Sequence, residues 1–109
     1  MVARVTTLLL QPGKLDAFLR IFQDAIAPAT AAQPGFGGST LLTDPQLGKV
    51  VAIGLWDSEA DLLASEHADD PTTLAKVDSM LITAPLRECY EVGVQVELTG
   101  AGAAHIRGI

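Results

Sequence analysis

The stretch PGFGGSTLLTDPQLGKVVAIGLWDSEADLLAS, residues 34–65, decides the fold. Two runs of apolar and β-branched residues, 36–43 and 49–56, flank a short loop that contains Pro and Gly, which is typical of a β-hairpin. Ser58 follows directly, and its hydroxyl can accept a hydrogen bond from an unpaired N–H at a helix start. Acidic residues in the next turn suit the positive end of the helix dipole. The stretch therefore predicts strand, strand and helix in that order.

On the N-terminal side of this stretch, residues 2–10 (VARVTTLLL) predict a strand that Pro12-Gly13 ends. Beyond Lys14 the apolar residues recur every three or four positions, so they predict one stripe of an amphipathic helix. Its members are Leu15, Phe18, Leu19, Phe22 and Ile26. We expect Pro28 to kink or end this helix.

On the C-terminal side, the helix that Ser58 begins is predicted over 59–67, and Asp70-Pro71 predicts the start of another helical segment. Residues 86–98 (LRECYEVGVQVEL) alternate between apolar and polar types, which indicates one half-buried strand. Residues 99–109 are rich in Gly and Ala and have no period. We therefore expect a domain over 1–98 and a C-terminal extension over 99–109.

The element order is β-α-β-β-α-β, which predicts an α+β fold of the ferredoxin-like type with a four-stranded antiparallel sheet. Both helices should cover one face of that sheet. The first and third strands carry apolar residues on both faces, and an uncovered apolar face would exceed the patch size usual for a monomer. Two sheets packed face to face would remove that exposure, so we expect a homodimer.

Composition excludes several classes of function. The net charge of −6 argues against nucleic-acid binding, since phosphate backbones would be repelled. Cys89 is the single cysteine, so an intrachain disulfide is impossible. No apolar stretch approaches the length that spans a bilayer, and no secretory signal pattern is present, so we expect a cytoplasmic protein without membrane contact.

At this point the residues resemble the antibiotic biosynthesis monooxygenase (ABM) family of dimeric α+β barrels. The similarity lies in the Pro-Gly-Phe opening at 34–36, the Asp-Pro-x-x-Gly-Lys hairpin at 44–49 and the Trp-Asp-Ser-Glu junction at 56–59. The segments LLLQPGKLDAFLRIF and YEVGVQVEL are similar to the family as well, so the resemblance covers residues 1–98.

The resemblance implies oxygenases that act on aromatic polyketides without metal or flavin, the substrate anion reacting directly with dioxygen. Such members pair the Trp that corresponds to Trp56 with an Asn four residues earlier and a Tyr six residues later. Here those positions are Ala52 and Leu62. Haem-degrading members carry a first-strand Asn and a His about ten residues after the Trp. This chain contains no Asn, and His67 is displaced by one position, so haem degradation is disfavoured.

Six residues are candidates for the site, and four of them have a plainer alternative. Trp56 alternates with Ala52 and Gly54, so these small residues leave room either for a ligand or for the indole itself. His67 lies near acidic residues that would raise its pKa, which suits a general base, or it is a solvated residue at a helix end. The Tyr90 hydroxyl would bind a phenolic substrate, or Tyr90 is a core residue. Arg4 would hold an anionic substrate, or it pairs with Glu88 or Glu91 of the last strand. Phe22 would be an apolar wall.

We therefore expect a cofactor-independent monooxygenase of an aromatic polyketide or a quinol-like small molecule. Trp56, His67 and Tyr90 would serve as catalytic residues, and Phe22, Arg4 and Ala52 as the substrate pocket. The alternative is a non-catalytic homodimer of the same fold that binds a small molecule or has a structural role. Neither hypothesis includes a metal or an organic cofactor.

Overall fold

A computed structural model describes residues 1–66, 70–98 and 104–108. The helical elements are α1 (Leu15–Ile21), a π-helical turn (Phe22–Ile26), α2 (Ala27–Ala31), α3 (Glu59–Ser65) and α4 (Pro71–Met80). The strands are β1 (Val2–Leu9), β2 (Phe36–Asp44), β3 (Lys49–Trp56), β4 (Leu86–Glu91), β5 (Val94–Leu98) and β6 (Ala104–Gly108).

A four-stranded antiparallel sheet in the order β2-β3-β1-β4 forms the centre of the fold. This confirms the α+β, ferredoxin-like fold class that the hairpin and the element order predict. In the register of β1 and β3, Leu8 lies opposite Val50 and Thr6 opposite Ala52. Because side chains alternate between faces, every second residue along this ladder points to the helices.

The core lies between the helices and one end of this sheet. Leu8, Leu10 and Val50 pack from the sheet side against Phe18 of α1 and Val77 of α4. Burying five large apolar side chains stabilises the fold by roughly 1.5–3 kcal/mol each before the entropy cost is subtracted. Toward the other end the helix-covered face carries Arg4, Thr6 and Ala52, which leave space there.

The sequence predicts that Pro28 kinks or ends the first helix, and the helical segment does not end there. It continues to Ala31, and the irregularity lies before the proline, where Phe22–Ile26 form a π-helical turn. The N–H of Ala27 donates to the carbonyl of Phe22, five residues earlier. Pro28 has no N–H to donate, so an α-helical hydrogen bond at this point is lost in any case.

The prediction of one continuous strand over 86–98 is wrong, because the structure has two strands there. β4 ends at Glu91, which pairs with Val2 at the start of β1. Beyond it, the N–H of Val92 donates to the carbonyl of Met1 at 3.1 Å, and β1 offers no earlier residue for the ladder to continue. Beyond Val92 and Gly93 the chain forms β5, which pairs with β6 in a separate two-stranded sheet. Part of the predicted extension is therefore a strand, and the domain boundary after Leu98 stays a prediction.

The helix-free face of the main sheet is mostly apolar and largely open, and Glu88 is an acidic side chain on it. Leu42, Leu86 and Tyr90 on this face are 50%, 58% and 51% exposed. Between them lie the partly buried side chains of Val5, Leu9, Val51, Ile53 and Leu55. No helix within the described part of the chain is long and apolar enough to cross a membrane.

Candidate functional site

A cavity of about 460 Å³ lies between the helix-covered face of the sheet and the helices. This volume falls within the roughly 300–1,000 Å³ typical of small-molecule sites. The lining mixes aromatic, small and charged side chains from β1, β2, β3, β4 and the helical elements. Its members are Arg4, Thr6, Phe22, Ala27, Thr30, Phe36, Ser39, Ala52, Ile53, Gly54, Trp56, Ser65, Glu66, Leu74 and Arg87.

Three aromatic side chains form the apolar part of this cavity. Trp56, at the end of β3, is 4% exposed and meets Phe36 of β2 edge-to-face, with ring centroids 5.2 Å apart. The third is Phe22, which lies at the start of the π-helical turn. Aromatic walls of this kind suit a flat apolar ligand, since they offer large contact areas with few internal rotations.

Small residues leave the room that the ligand would occupy. Ala52 and Gly54 precede Trp56 on the same face of β3 and line the cavity with it. A Cβ added at Gly54 would lie 3.5 Å from Nε1 of Trp56, which is ordinary contact. Larger side chains at these two positions would therefore enter the cavity rather than be excluded by the backbone.

An ion pair forms the polar side of the cavity. Nη2 of Arg4 on β1 lies 2.7 Å from Oε1 of Glu66, the residue that follows α3. Nε of the same guanidinium is buried and has no hydrogen-bond partner among the described residues. A buried donor left without an acceptor is unusual in folded proteins, so this N–H is a candidate donor to a ligand in the cavity.

A second guanidinium reaches the same cavity from β4. Arg87 lies directly opposite Thr6, and Cys89 lies opposite Arg4. Arg4 and Arg87 are therefore diagonal neighbours on one face of the sheet, where Cβ atoms are roughly 7–8 Å apart or slightly closer. Arg87 is exposed and forms no ion pair with another described residue.

The structure places four of the candidate residues, Arg4, Phe22, Ala52 and Trp56, around one cavity. Their roles stay predictions. His67 lies outside the described residues, so its place relative to the cavity stays a prediction too.

Tyr90 does not line the cavity. It pairs with Ala3, one position from Arg4, and so points to the helix-free face. There its hydroxyl donates a 2.5 Å hydrogen bond to Glu88. This hydrogen bond raises the pKa of Tyr90 above its ordinary value of 10.0, with smaller contributions from desolvation and from the charge of Glu88.

Sequence reasoning missed Phe36, Glu66 and Arg87 as lining residues. Phe36 lies opposite Trp56 because the register of the hairpin shifts by one residue between Phe36 and Gly38, a β-bulge that alternation alone does not predict. Arg87 depends on the register between β1 and β4, which no local pattern reveals. Within residues 1–66, 70–98 and 104–108, no three His, Cys, Asp or Glu side chains converge as metal ligands would.

Comparisons with known proteins bear on this geometry. The sequence model of the antibiotic biosynthesis monooxygenase family matches residues 1–74, which include every described lining residue except Arg87. None of the curated proteins matches the chain.

Solved structures share the fold at low identity. A variant of SnoaB, a cofactor-independent oxygenase from Streptomyces nogalater, is 21% identical over 84% of this chain and 91% of its own, with a TM-score of 0.69. Rv0793 from Mycobacterium tuberculosis is 19% identical over 84% and 93%, also at 0.69. NE2512 from Nitrosomonas europaea, a protein of unknown function, is 18% identical over 84% and 87%, at 0.70. The family match covers well over half of the sequence, and the chain belongs to the antibiotic biosynthesis monooxygenase family.

Proposed function

We propose that this protein is a cofactor-independent monooxygenase of an aromatic polyketide or a quinol-like small molecule. The observation that carries the proposal is the cavity in which Trp56 and Phe36 face the small residues Ala52 and Gly54. Membership of the family supports the reaction class, and the similarity to SnoaB, described as a cofactor-independent oxygenase, agrees with it.

The chemistry asks little of the protein beyond binding and charge placement. A phenol or anthrone loses a proton, and its anion forms a carbon–oxygen bond with dioxygen, supplying the electrons itself. Protonation gives a hydroperoxide, which loses water and leaves a carbonyl. The aromatic walls would hold the ring away from bulk water, and cationic donors would stabilise the anion. Glu66 is the one carboxylate among the described lining residues and could accept the first proton.

Oxygen consumption tests the proposal directly. Purified protein, treated with a chelator and free of flavin, should consume dioxygen with at least one member of a panel of anthrones, quinols and dihydroxynaphthalenes. Replacing Trp56→Phe should lower kcat/KM roughly tenfold, which corresponds to about 1.4 kcal/mol of transition-state stabilisation. Ala52→Leu should lower it further, because the added atoms occupy the ligand's space.

Leu63→Ala on α3 is the matched control, since Leu63 is exposed and does not line the cavity. Its oxygen consumption should equal that of the unmodified protein. Uptake no faster than the uncatalysed background across the panel, with no effect of Trp56→Phe, would contradict the proposal.

We also propose that the working unit is a homodimer in the cytoplasm, with the two helix-free faces packed together. Leu42, Leu86 and Tyr90 support this, since each is at least half exposed on a mostly apolar sheet surface. A patch of this kind on a lone subunit would be an aggregation liability.

One observation favours a second candidate, a homodimer that binds a ligand without turnover. Leu62, at the position where the resembling oxygenases carry Tyr, is 2% exposed and does not line the cavity. With Ala52 at the Asn position, two polar groups of that pattern are replaced by apolar ones. A thermal shift with an aromatic metabolite that is not consumed would favour this candidate.

A further inference from the structure

The charge of the cavity differs from that of the whole chain. Arg4 and Arg87 both line it, and Glu66 is the one acidic side chain among its described lining residues. The described lining residues therefore carry a net charge of +1 in a chain whose net charge is −6. A local excess of positive charge in an acidic protein attracts anions to that point rather than to the surface at large.

The two guanidinium groups differ in what they already bind. Arg4 is held by Glu66 at 2.7 Å, which fixes its direction, while its buried Nε has no described partner. The side chain of Arg87 has no hydrogen bond or ion pair with any other described residue. Both come from adjacent strands on one face, so one small anion could contact both side chains.

The anion is defined by the shape and number of these donors. Guanidinium groups are planar forks that match carboxylates with two parallel hydrogen bonds. The hydroxyl of Thr6, directly opposite Arg87, adds a further donor on the same wall. A single excess positive charge balances a monoanion, and Trp56 with Phe36 offers the neighbouring flat apolar surface.

We propose that the substrate is an aromatic acid, whose carboxylate lies between Arg4 and Arg87 and whose ring lies against Trp56. This inference rests on the proposed function, because it names the class of molecule that the oxygenase site takes. Arg87 is then a specificity-determining residue that binds the substrate away from the reacting carbon.

Binding of a non-oxidisable pair of probes tests the inference. A naphthoate and the naphthamide with its substituent at the same ring position differ in charge and hardly in shape. In calorimetric titrations at low salt, the naphthoate should bind at least ~10-fold more tightly, as expected for hydrogen bonds to a charged group. The difference should shrink as salt is added, because part of the attraction is screened.

Variants of Arg87 locate the source of the preference. Arg87→Gln should weaken naphthoate binding by roughly 10-fold and leave naphthamide binding unchanged, and Arg87→Lys should fall between. Arg20→Gln is the matched control, since Arg20 is exposed on α1, lies outside the cavity and carries the same charge. That variant should bind both probes as the unmodified protein does.

Three results would overturn the inference: equal affinity for the two probes, no binding of either, or the same loss in Arg20→Gln as in Arg87→Gln. Oxygen consumption is a separate readout. If naphthoate is preferred but no acid or neutral quinol is oxidised, the proposed monooxygenase fails and the anion site stands. If neutral quinols are oxidised without any preference for naphthoate, the monooxygenase stands and this inference fails.

Discussion

Gly35 lies where the chain enters β2, directly against the start of α3. Its φ of +78° is a conformation that other residues adopt at a cost, and a Cβ there would lie 2.7 Å from the Cβ of Asp61 and overlap its carboxylate. Oδ2 of Asp61 in turn accepts a hydrogen bond from the Ser58 hydroxyl, at 2.9 Å. The absence of a side chain at Gly35 thus permits close contact between the start of the hairpin and α3, the helix whose C-terminal end reaches the cavity.

We expect Gly35→Ala to lower the free energy of unfolding by at least ~2 kcal/mol, since strain in φ adds to displacement of Asp61. Gly13→Ala is the matched control. Gly13 has a φ of +79°, but nothing lies within 4 Å of its added Cβ. It should therefore cost only the conformational term of about 1–2 kcal/mol. Equal losses in urea unfolding would contradict the steric argument.

Tyr90 is the single tyrosine, so its ionisation can be followed by absorbance without interference from another tyrosine. We expect its pKa to lie above 10.0, because the neutral hydroxyl donates to Glu88 and the phenolate would be repelled by it. A raised folded-state pKa means that this stabilisation is present below pH 10 and is lost as pH rises through the folded value.

Replacing Glu88→Ala should move the pKa of Tyr90 back toward its ordinary value in the same titration. Glu91→Ala removes an acid from the same strand but from the opposite face, since Glu91 pairs with Val2. That variant should leave the titration of Tyr90 unchanged. A pKa that is unaltered in Glu88→Ala would show that the hydrogen bond is not its cause.

Among the elements, α3 connects the hairpin to the acidic side of the cavity. Ser58 caps the helix by accepting from the N–H of Asp61 at 3.2 Å, and Glu66 follows its last turn. Because the helix has only seven residues, its start largely determines where Glu66 lies. The cap therefore contributes both to stability and to the position of the Arg4 ion pair.

Ser58→Ala should lower the free energy of unfolding by about 1 kcal/mol, the usual cost of removing an N-cap. Ser79→Ala is the control on α4. The Ser79 hydroxyl donates to the carbonyl of Lys76 on an exposed surface and caps no helix start. Its change should stay within about 0.5 kcal/mol. If denaturant unfolding gave equal losses for the two variants, the capping role of Ser58 would be excluded.

The π-helical turn is the second element that shapes the site. Phe22 begins it and Ala27 follows it, and both line the cavity. Inserting one extra residue into the helical turn rotates all later positions relative to an α-helix, which brings Ala27 and Thr30 of the following turns to the cavity wall. The regular spacing of apolar residues before Phe22 does not reveal this rotation.

At the scale of the whole molecule, the proposed dimer makes the helix-free face a core. Leu42→Asp should raise the dissociation constant of the dimer by roughly hundredfold or more, because a charge buried without a partner costs several kcal/mol. Sedimentation at micromolar concentration should then show single subunits.

Leu47→Asp is the control for this experiment. Leu47 is 68% exposed in the hairpin loop, outside the sheet face, so the same change of charge should leave the dimer intact. A lone subunit for the unmodified protein under the same conditions would contradict the dimer.

Local patterns predicted most of the fold. Apolar spacing predicted α1, and the hairpin loop predicted β2 and β3 to within a residue. The same alternation placed Ala52 and Trp56 together, and they do line one cavity. Patterns failed at 86–98, where alternation continues through Gly93 although the pairing strand ends. Alternation reports the backbone's period, not whether a partner strand is present.

The sequence by itself therefore determined the order and type of the elements and which residues share a face within one strand, because both depend on neighbouring positions in the chain. The tertiary structure alone decided which strands meet and in what register. That register sets Arg4 diagonal to Arg87 and turns Tyr90 to the opposite face. The register follows from packing between β1 and β4, segments more than eighty residues apart in the sequence. A shift of β4 by one residue would exchange Arg87 and Tyr90 between the two faces of the sheet.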